Sequence, residues 1–144
     1  ETARKRNVIY CIEPLSRMST NFINTVEEAI RLVKEIRHPN FKMMFDCRHA
    51  LAQEKSVTEA LIRALDSRML CHVHVNDANG RGPGFGETKF TPILKTLIKN
   101  NYRGYLSVEV FHFDPDPQTI ASRSIGYLKG ILETLDETGC RKLP

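Results

Sequence analysis

The stretch Met69-Leu-Cys-His-Val-His-Val75 decides the fold class, because it combines the pattern of a buried strand with an imidazole near its carboxyl end. A short apolar, β-branched run of this kind is typical of a strand covered on both faces. A capping box, Ser56-Val-Thr-Glu59, opens a predicted helix through about Leu65 just upstream. The same patterns predict strands over about residues 7–13, 41–46, 69–75 and 105–110.

Predicted helices between these strands complete four consecutive βα units. Helix-start signals occur at Thr25 and at Thr91-Pro92, and a last helix is predicted over about residues 118–135. Such units, with strands about thirty residues apart, require a parallel sheet with right-handed crossovers. An open doubly wound sheet and a barrel both satisfy this pattern, so the strands alone leave the choice open.

Each predicted strand carries an acidic or imidazole side chain at or near its carboxyl end, the edge where parallel α/β proteins place their active sites. None of these residues directly precedes a predicted helix, so helix capping does not account for them. Three carboxylates and one imidazole at one edge would repel each other unless a cation lay among them. An oxygen-rich set suits Mn²⁺, Mg²⁺ or Co²⁺ better than a thiolate-type zinc site. The predicted ligands are Glu13, Asp46, His74 and Glu109.

The composition argues against several classes of protein. The 144 residues carry a net charge of +4, but basic and acidic residues alternate on the predicted helices, so no nucleic-acid partner is expected. No apolar run approaches the roughly 20 residues of a membrane helix, and residues 1–7 lack a signal-peptide core. We therefore expect a cytoplasmic protein with no membrane partner. The four cysteines form no CxxC pair and are expected to be free thiols.

Several segments resemble the xylose isomerase-like TIM-barrel proteins, which include ketose 3-epimerases, hydroxypyruvate isomerases and sugar-phosphate isomerase/epimerases. The resemblance covers residues 8–135. It implies that residues 1–144 form a single partial domain, the C-terminal half of a (β/α)8 barrel, since a complete barrel needs about 250 residues. The matching segments are Ile12-Glu-Pro-Leu-Ser-Arg17, Thr20-Asn-Phe-Ile-Asn-Thr25, Phe45-Asp-Cys-Arg-His49, His72-Val-His74 and Gly104-Tyr-Leu-Ser-Val-Glu109.

The resemblance also implies a chemistry. One divalent cation, Mn²⁺ as the first choice, would be held by the four predicted ligands, and Glu13 and Glu109 would serve as the acid/base pair of an isomerase or epimerase acting through an enediolate. The implied substrate is a small carbohydrate or hydroxy-keto compound. The residues that would contact it are His49, Arg81 and Arg17.

Two positions depart from the family pattern. The arginine expected six residues after the metal histidine is Gly80 here, with Arg81 next to it. The glutamate that the epimerases tend to carry six residues after the first ligand is Ser19, which weakens a ketohexose epimerase in particular. His72 shares a strand face with His74, and by resemblance it is a barrel-layer residue rather than a ligand.

Two alternatives stay open at this point. A degenerate half-barrel could bind a ligand without turnover, and the half alone could be inactive. An apurinic endonuclease of the endonuclease IV type would share Glu, D-x-x-H and a final Glu, but the glycine-rich loop over residues 76–87 lacks the D-x-H histidine of those enzymes. Whatever its function, such a half needs an N-terminal half-barrel or a second copy to close the barrel.

Overall fold

A computed structural model describes residues 1–137 as one parallel sheet flanked by helices. The sheet order follows the chain, β1-β2-β3-β4, and every neighbouring pair is parallel. Right-handed crossovers that always step in the same direction place the connecting helices on one face of the sheet. The strands are Tyr10–Ile12 (β1), Phe41–Asp46 (β2), Leu70–Val75 (β3) and Tyr105–Val108 (β4), and the helices are Thr2–Lys5 (α1), Val26–Ile36 (α2), Cys47–Gln53 (α3), Val57–Asp66 (α4), Phe90–Lys99 (α5) and Pro117–Glu137 (α6).

The apolar core lies between the sheet and these helices. The strand residues that face the helices are at most 1% exposed, and small or branched residues of the helices fill the space against them. This layer explains the continuous apolar runs that predicted the strands. The strand residues of the core are Met43, Phe45, Val73 and Val75, and helix residues of the same cluster include Ala29, Leu61, Phe90 and Leu94.

The capping box predicted at Thr25 is present at the start of α2. The Thr25 hydroxyl accepts a hydrogen bond from the Glu28 amide at 3.2 Å, and the Glu28 carboxylate accepts from the Thr25 amide at 3.1 Å. Glu28 also accepts from the Asn24 amide at 2.6 Å, and this bond is the largest of the causes that lower the pKa of the Glu28 carboxyl.

The single sheet of four parallel strands with helices between them confirms the predicted parallel α/β fold class.

Four elements differ from the prediction, two strands in their extent and two helices in not having been predicted. The outer strands are shorter than predicted: Asn7 adopts a left-handed conformation (φ 52°) after α1, so β1 begins at Tyr10, and β4 ends at Val108, before Glu109. Helix α3 was not predicted, because its start signal is the strand-end residue Asp46, whose side chain caps it. The short helix α1 was not predicted either.

The expectation of isolated thiols is wrong for two cysteines. The sulfur atoms of Cys11 on β1 and Cys71 on β3 are 2.50 Å apart. The structure pairs these two sulfur atoms, with the Cα atoms 7.3 Å apart, so neither cysteine is a free thiol. Cys47 is buried and free, and Cys140 lies outside the described residues.

Within residues 1–137, no helix is both long and apolar enough to cross a bilayer.

Candidate metal centre and active site

The four predicted ligands come together at the carboxyl edge of the sheet. Each offers one ligand atom, and these atoms all lie within 4.8 Å of one another. The parallel register produces this convergence, because Asp46 of β2 is the direct partner of His74 of β3. On the outer strands, Glu13 directly follows β1 and Glu109 directly follows β4. The cluster consists of Glu13, Asp46, His74 and Glu109.

The imidazole of His74 lies at the centre of the cluster. Its Nδ1 atom is 3.3 Å from a Glu109 oxygen, 3.7 Å from Asp46 Oδ2 and 3.9 Å from Glu13 Oε1. The Asp46 side chain and then the two glutamates favour a proton on this ring, so the pKa of His74 is raised although burial opposes the shift. The same nitrogen would face a cation placed among the carboxylates.

The carboxyl group of Glu13 has an unusual environment. Burial raises its pKa to about 7, and the nearby negative charges of Asp46 and Glu109 add to the shift, while His74 opposes it. A carboxyl group that titrates near neutral pH can both donate and accept a proton during a reaction. A carboxyl group with a raised pKa therefore lies within the cluster.

Two atoms of the cluster test whether these residues fit a metal ion. Glu13 Oε1 and His74 Nδ1 are buried and have no hydrogen-bond partner among the described residues. A buried polar atom without a partner costs about 1–3 kcal/mol, so such atoms are normally paired with something. A divalent cation accepts lone pairs from both carboxylate oxygens and imidazole nitrogens, so the donor set fits a hard or borderline cation.

Asp46 is held more rigidly than the other members of the cluster, because its side chain is fully buried. Its Oδ1 atom accepts from the His49 amide at 2.7 Å, and its Oδ2 atom accepts from the Asn76 side chain at 2.8 Å. Burial raises the pKa of Asp46, but the nearby His74 ring and the hydrogen bonds from the His49 amide and the Asn76 side chain outweigh burial and leave the pKa lowered. Asp46 is therefore ionised, and it caps α3 as well, contrary to the expectation that no cluster residue is a cap.

The predicted substrate residue His49 lies beside the cluster. It is 7% exposed, and its Nδ1 accepts a hydrogen bond from the Ser16 amide at 3.1 Å. Burial is the main cause of its lowered pKa. Because Nδ1 accepts, the neutral ring carries its hydrogen on Nε2.

The two predicted arginines lie outside the cluster. Arg17 is exposed, and its backbone amide donates to the Gln53 side chain at 3.1 Å. Arg81 donates from Nη2 to the carbonyl of Asp114, and its guanidinium lies 4.9 Å from the centre of the Phe85 ring. Arg81 thereby ties the glycine-rich loop to the segment after β4.

His72 packs against the cluster from one layer below. Its ring meets that of His74 edge-on, with ring centroids 5.1 Å apart. Burial, followed by the charge of His74, lowers its pKa, so the ring is neutral near pH 7. It is not among the four grouped residues.

Sequence reasoning missed Asn76. This residue is fully buried and bonds to Asp46, and it follows His74 by two positions, which puts both side chains on the same strand face. That spacing was the available signal, but an asparagine that opens a glycine-rich loop also matches an ordinary turn residue.

The fold and the cluster define a class of protein, half of a parallel βα barrel with a cluster of carboxylates and an imidazole at its carboxyl edge. The family described as xylose isomerase-like TIM barrel matches residues 1–131. The chain therefore belongs to the xylose isomerase-like TIM-barrel family.

Named relatives within this family are sugar epimerases. The chain is 32% identical over 111 residues to a D-psicose 3-epimerase of Ruminiclostridium cellulolyticum, a match covering 77% of the chain and 37% of the relative. It is 31% identical to a 3-dehydro-D-guloside 4-epimerase of Escherichia coli K12, covering 88% of the chain and 47% of the relative. The chain thus spans less than half the length of these two relatives.

Solved structures agree with this placement. A D-psicose 3-epimerase with D-tagatose from Clostridium cellulolyticum H10 superposes with a TM-score of 0.72 at 30% identity, covering 96% of the chain and 46% of that protein. A 3-keto-D-glucoside 4-epimerase from E. coli superposes with a TM-score of 0.81 at 28% identity, covering 89% and 48%. The prediction of about half a TIM barrel is confirmed.

Proposed function

We propose that the protein is a divalent-metal-dependent sugar or sugar-phosphate isomerase or epimerase. The observation that carries the proposal is the convergence of three carboxylates and one imidazole within 4.8 Å at the carboxyl edge of the sheet. The relatives named above act on ketoses or keto-sugars, which supports a small carbohydrate as the substrate.

In this proposal Glu13, Asp46, His74 and Glu109 hold one divalent cation, with Mn²⁺ as the first choice and Mg²⁺ or Co²⁺ as alternatives. The bound cation would polarise the substrate carbonyl and stabilise negative charge on the enediolate. The two orphaned atoms, Glu13 Oε1 and His74 Nδ1, would gain a partner on binding.

Proton transfer is assigned to the two glutamates. One carboxylate accepts the proton from the carbon next to the substrate carbonyl, and the bonding electrons pass to the enediolate. The other, protonated, returns a proton to the opposite face for epimerisation, or to the neighbouring carbon for isomerisation. A Glu13 pKa of about 7 in the metal-free protein supports its ability to exist in either form near neutral pH.

Substrate contacts are assigned to His49, Arg81 and Arg17, of which His49 has the strongest support because it adjoins Asp46. Arg81 is engaged with Asp114 and Phe85, so contact with substrate requires it to give up or share those partners.

Closure of the barrel is assigned to an N-terminal half-barrel or a second copy, with residues 1–144 as one partial domain. Apolar side chains stand exposed at both outer strands of the sheet, including Tyr10, which is 62% exposed, and Tyr105, which is 82% exposed. An open edge with apolar side chains favours pairing with further strands.

The test follows deuterium uptake by ketoses such as D-psicose and D-tagatose in deuterated water, with and without Mn²⁺, in the intact protein. We expect metal-dependent uptake and epimer formation. Glu109→Gln should lower the rate by about 10²–10⁴-fold because an acid/base group is lost. Glu133→Gln, an exposed glutamate on α6, is the matched control and should leave the rate unchanged.

Metal binding without deuterium uptake by any of the ketoses would favour the degenerate binding module. Absence of both would overturn the proposal. The endonuclease alternative has no specific support from the cluster, which groups four ligands suited to one ion.

A further inference from the structure

Asn76 is a polar side chain that the proposed chemistry does not use, yet it is fully buried beside the metal centre. It follows β3 directly and lies two residues beyond His74, on the same face of the strand. A buried amide costs free energy unless it is hydrogen-bonded, so its partners indicate its role.

Both ends of the Asn76 amide have a partner. Its Oδ1 accepts from the backbone amide of Arg48 at 2.9 Å, and its Nδ2 donates to Asp46 Oδ2 at 2.8 Å. A backbone N–H can only donate, so the oxygen must face Arg48 and the nitrogen must face Asp46. The chemistry of the partners therefore fixes the orientation of the amide.

The bond from Asn76 reaches the Asp46 oxygen that faces the cluster. Oδ2 lies 3.7 Å from His74 Nδ1, whereas Oδ1 is turned toward the His49 amide. Each oxygen thus receives a separate donor, and the carboxylate cannot rotate without losing both bonds. Oδ2 keeps lone-pair capacity for a cation.

We infer that Asn76 is a positioning residue that aims Asp46 Oδ2 at the divalent cation and links that ligand to the start of α3. The inference rests on the proposed function, because it assumes that Asp46 is a metal ligand. Hydrogen-bonded partners of metal ligands set ligand orientation, and their loss typically lowers metal affinity by about 10- to 100-fold.

The experiment measures Mn²⁺ affinity of the intact protein by titration, for the native protein and for Asn76→Ala and Asn76→Asp. The aspartate variant keeps the shape but replaces the donor with a second negative charge. We expect the Mn²⁺ dissociation constant to rise by about 10- to 100-fold in the alanine variant, with circular dichroism unchanged.

Asn24→Ala is the matched control. Asn24 is also buried, but its side-chain amide donates to the backbone carbonyls of Leu15 and Thr20, at 2.6 and 3.0 Å, and not to one of the four cluster residues. We expect its loss to lower thermal stability while the Mn²⁺ dissociation constant stays within about threefold of the native value.

A double-mutant cycle separates positioning from a general structural effect. If Asn76 acts through Asp46, Asn76→Ala should have no further effect on Mn²⁺ affinity in an Asp46→Ala background. Where Asn76→Ala does not fold, Asn76→Ser is measured in its place, because its shorter hydroxyl cannot span both partners.

The possible failures are distinguishable. Native protein that binds no divalent cation would overturn the proposed function and this inference with it. Native protein that binds Mn²⁺, with a folded Asn76 variant that binds equally well or a full Asn76 effect in the Asp46→Ala background, would overturn only the positioning role.

Discussion

The helix-facing side of the sheet and its carboxyl edge hold different kinds of side chain. Toward the helices, Met43, Phe45 and Val73 are at most 1% exposed and form a dry layer. At the carboxyl edge, carboxylates and an imidazole crowd within 4.8 Å, and the side chain of Glu109 is 36% exposed. Apolar burial stabilises the fold, whereas crowded like charges destabilise it unless a cation is present. The helix-facing layer therefore stabilises the fold, whereas the carboxyl edge lowers the stability of the metal-free protein.

The largest expected effect tests the helix-facing layer. Phe45→Ala should lower the free energy of unfolding by about 3–5 kcal/mol, because it removes a fully buried ring and leaves a cavity. Urea unfolding followed by circular dichroism measures the change. Phe22→Ala, at a phenylalanine that is 61% exposed, is the control and should change stability by less than about 0.5 kcal/mol. Equal losses in the two variants would break the comparison.

The next effect tests the glycine-rich loop, where helix α6 reaches the carboxyl edge. Gly84 has φ +86°, and a Cβ there would lie 3.0 Å from the Tyr127 ring. Gly84→Ala should therefore lower stability by about 1–3 kcal/mol through backbone strain and steric overlap. Thermal unfolding measures the shift. A melting temperature equal to that of the native protein would show that the loop can shift without cost and that its contact with Tyr127 of α6 does not stabilise the fold.

At the carboxyl edge, a substitution is expected to raise stability instead of lowering it. Glu13→Gln removes one charge from the crowded cluster, so the metal-free variant should be more stable than the native protein at pH 8, by on the order of 1 kcal/mol since solvent at the open edge screens the repulsion. Saturating Mn²⁺ should then stabilise the native protein more than the variant. Unfolding curves with and without Mn²⁺ measure both effects. A loss of stability in the metal-free variant would contradict the picture of uncompensated charge.

The smallest effect sharpens the test of Gly84. A Cβ at Gly126 in α6 would meet nothing within 4 Å. Gly126→Ala should raise stability by about 0.5–1 kcal/mol, because alanine loses less conformational entropy in a helix. The same thermal unfolding assay measures it. Destabilisation here would mean that the exposed side of α6 is covered by something outside the described residues.

Much of the fold could be predicted from the sequence, because apolar runs and capping boxes are local signals. The box at Thr25 and the strand over residues 41–46 show this directly. The four cluster residues were also predictable, since parallel strands bring their carboxyl ends to one edge. Their roles as metal ligands and acid/base groups remain predictions.

Other features depend on contacts between distant segments and could not be predicted. Asp46 belongs to a strand by pattern but also starts α3, and a residue that serves two elements carries no separate signal for the second. The contact of Cys11 with Cys71 depends on how closely β1 and β3 approach across β2. The engagement of Arg81 with Asp114 depends on two loops that meet only in the folded chain.

The shared use of Asp46 by a helix and a candidate metal centre has a dynamic consequence. A cation that fixes one oxygen of this carboxylate also restrains the other, which receives the His49 amide. Hydrogen–deuterium exchange at the first turn of α3 should therefore slow when the centre is occupied. Backbone protection in that turn would report occupancy of the centre independently of any assay of turnover.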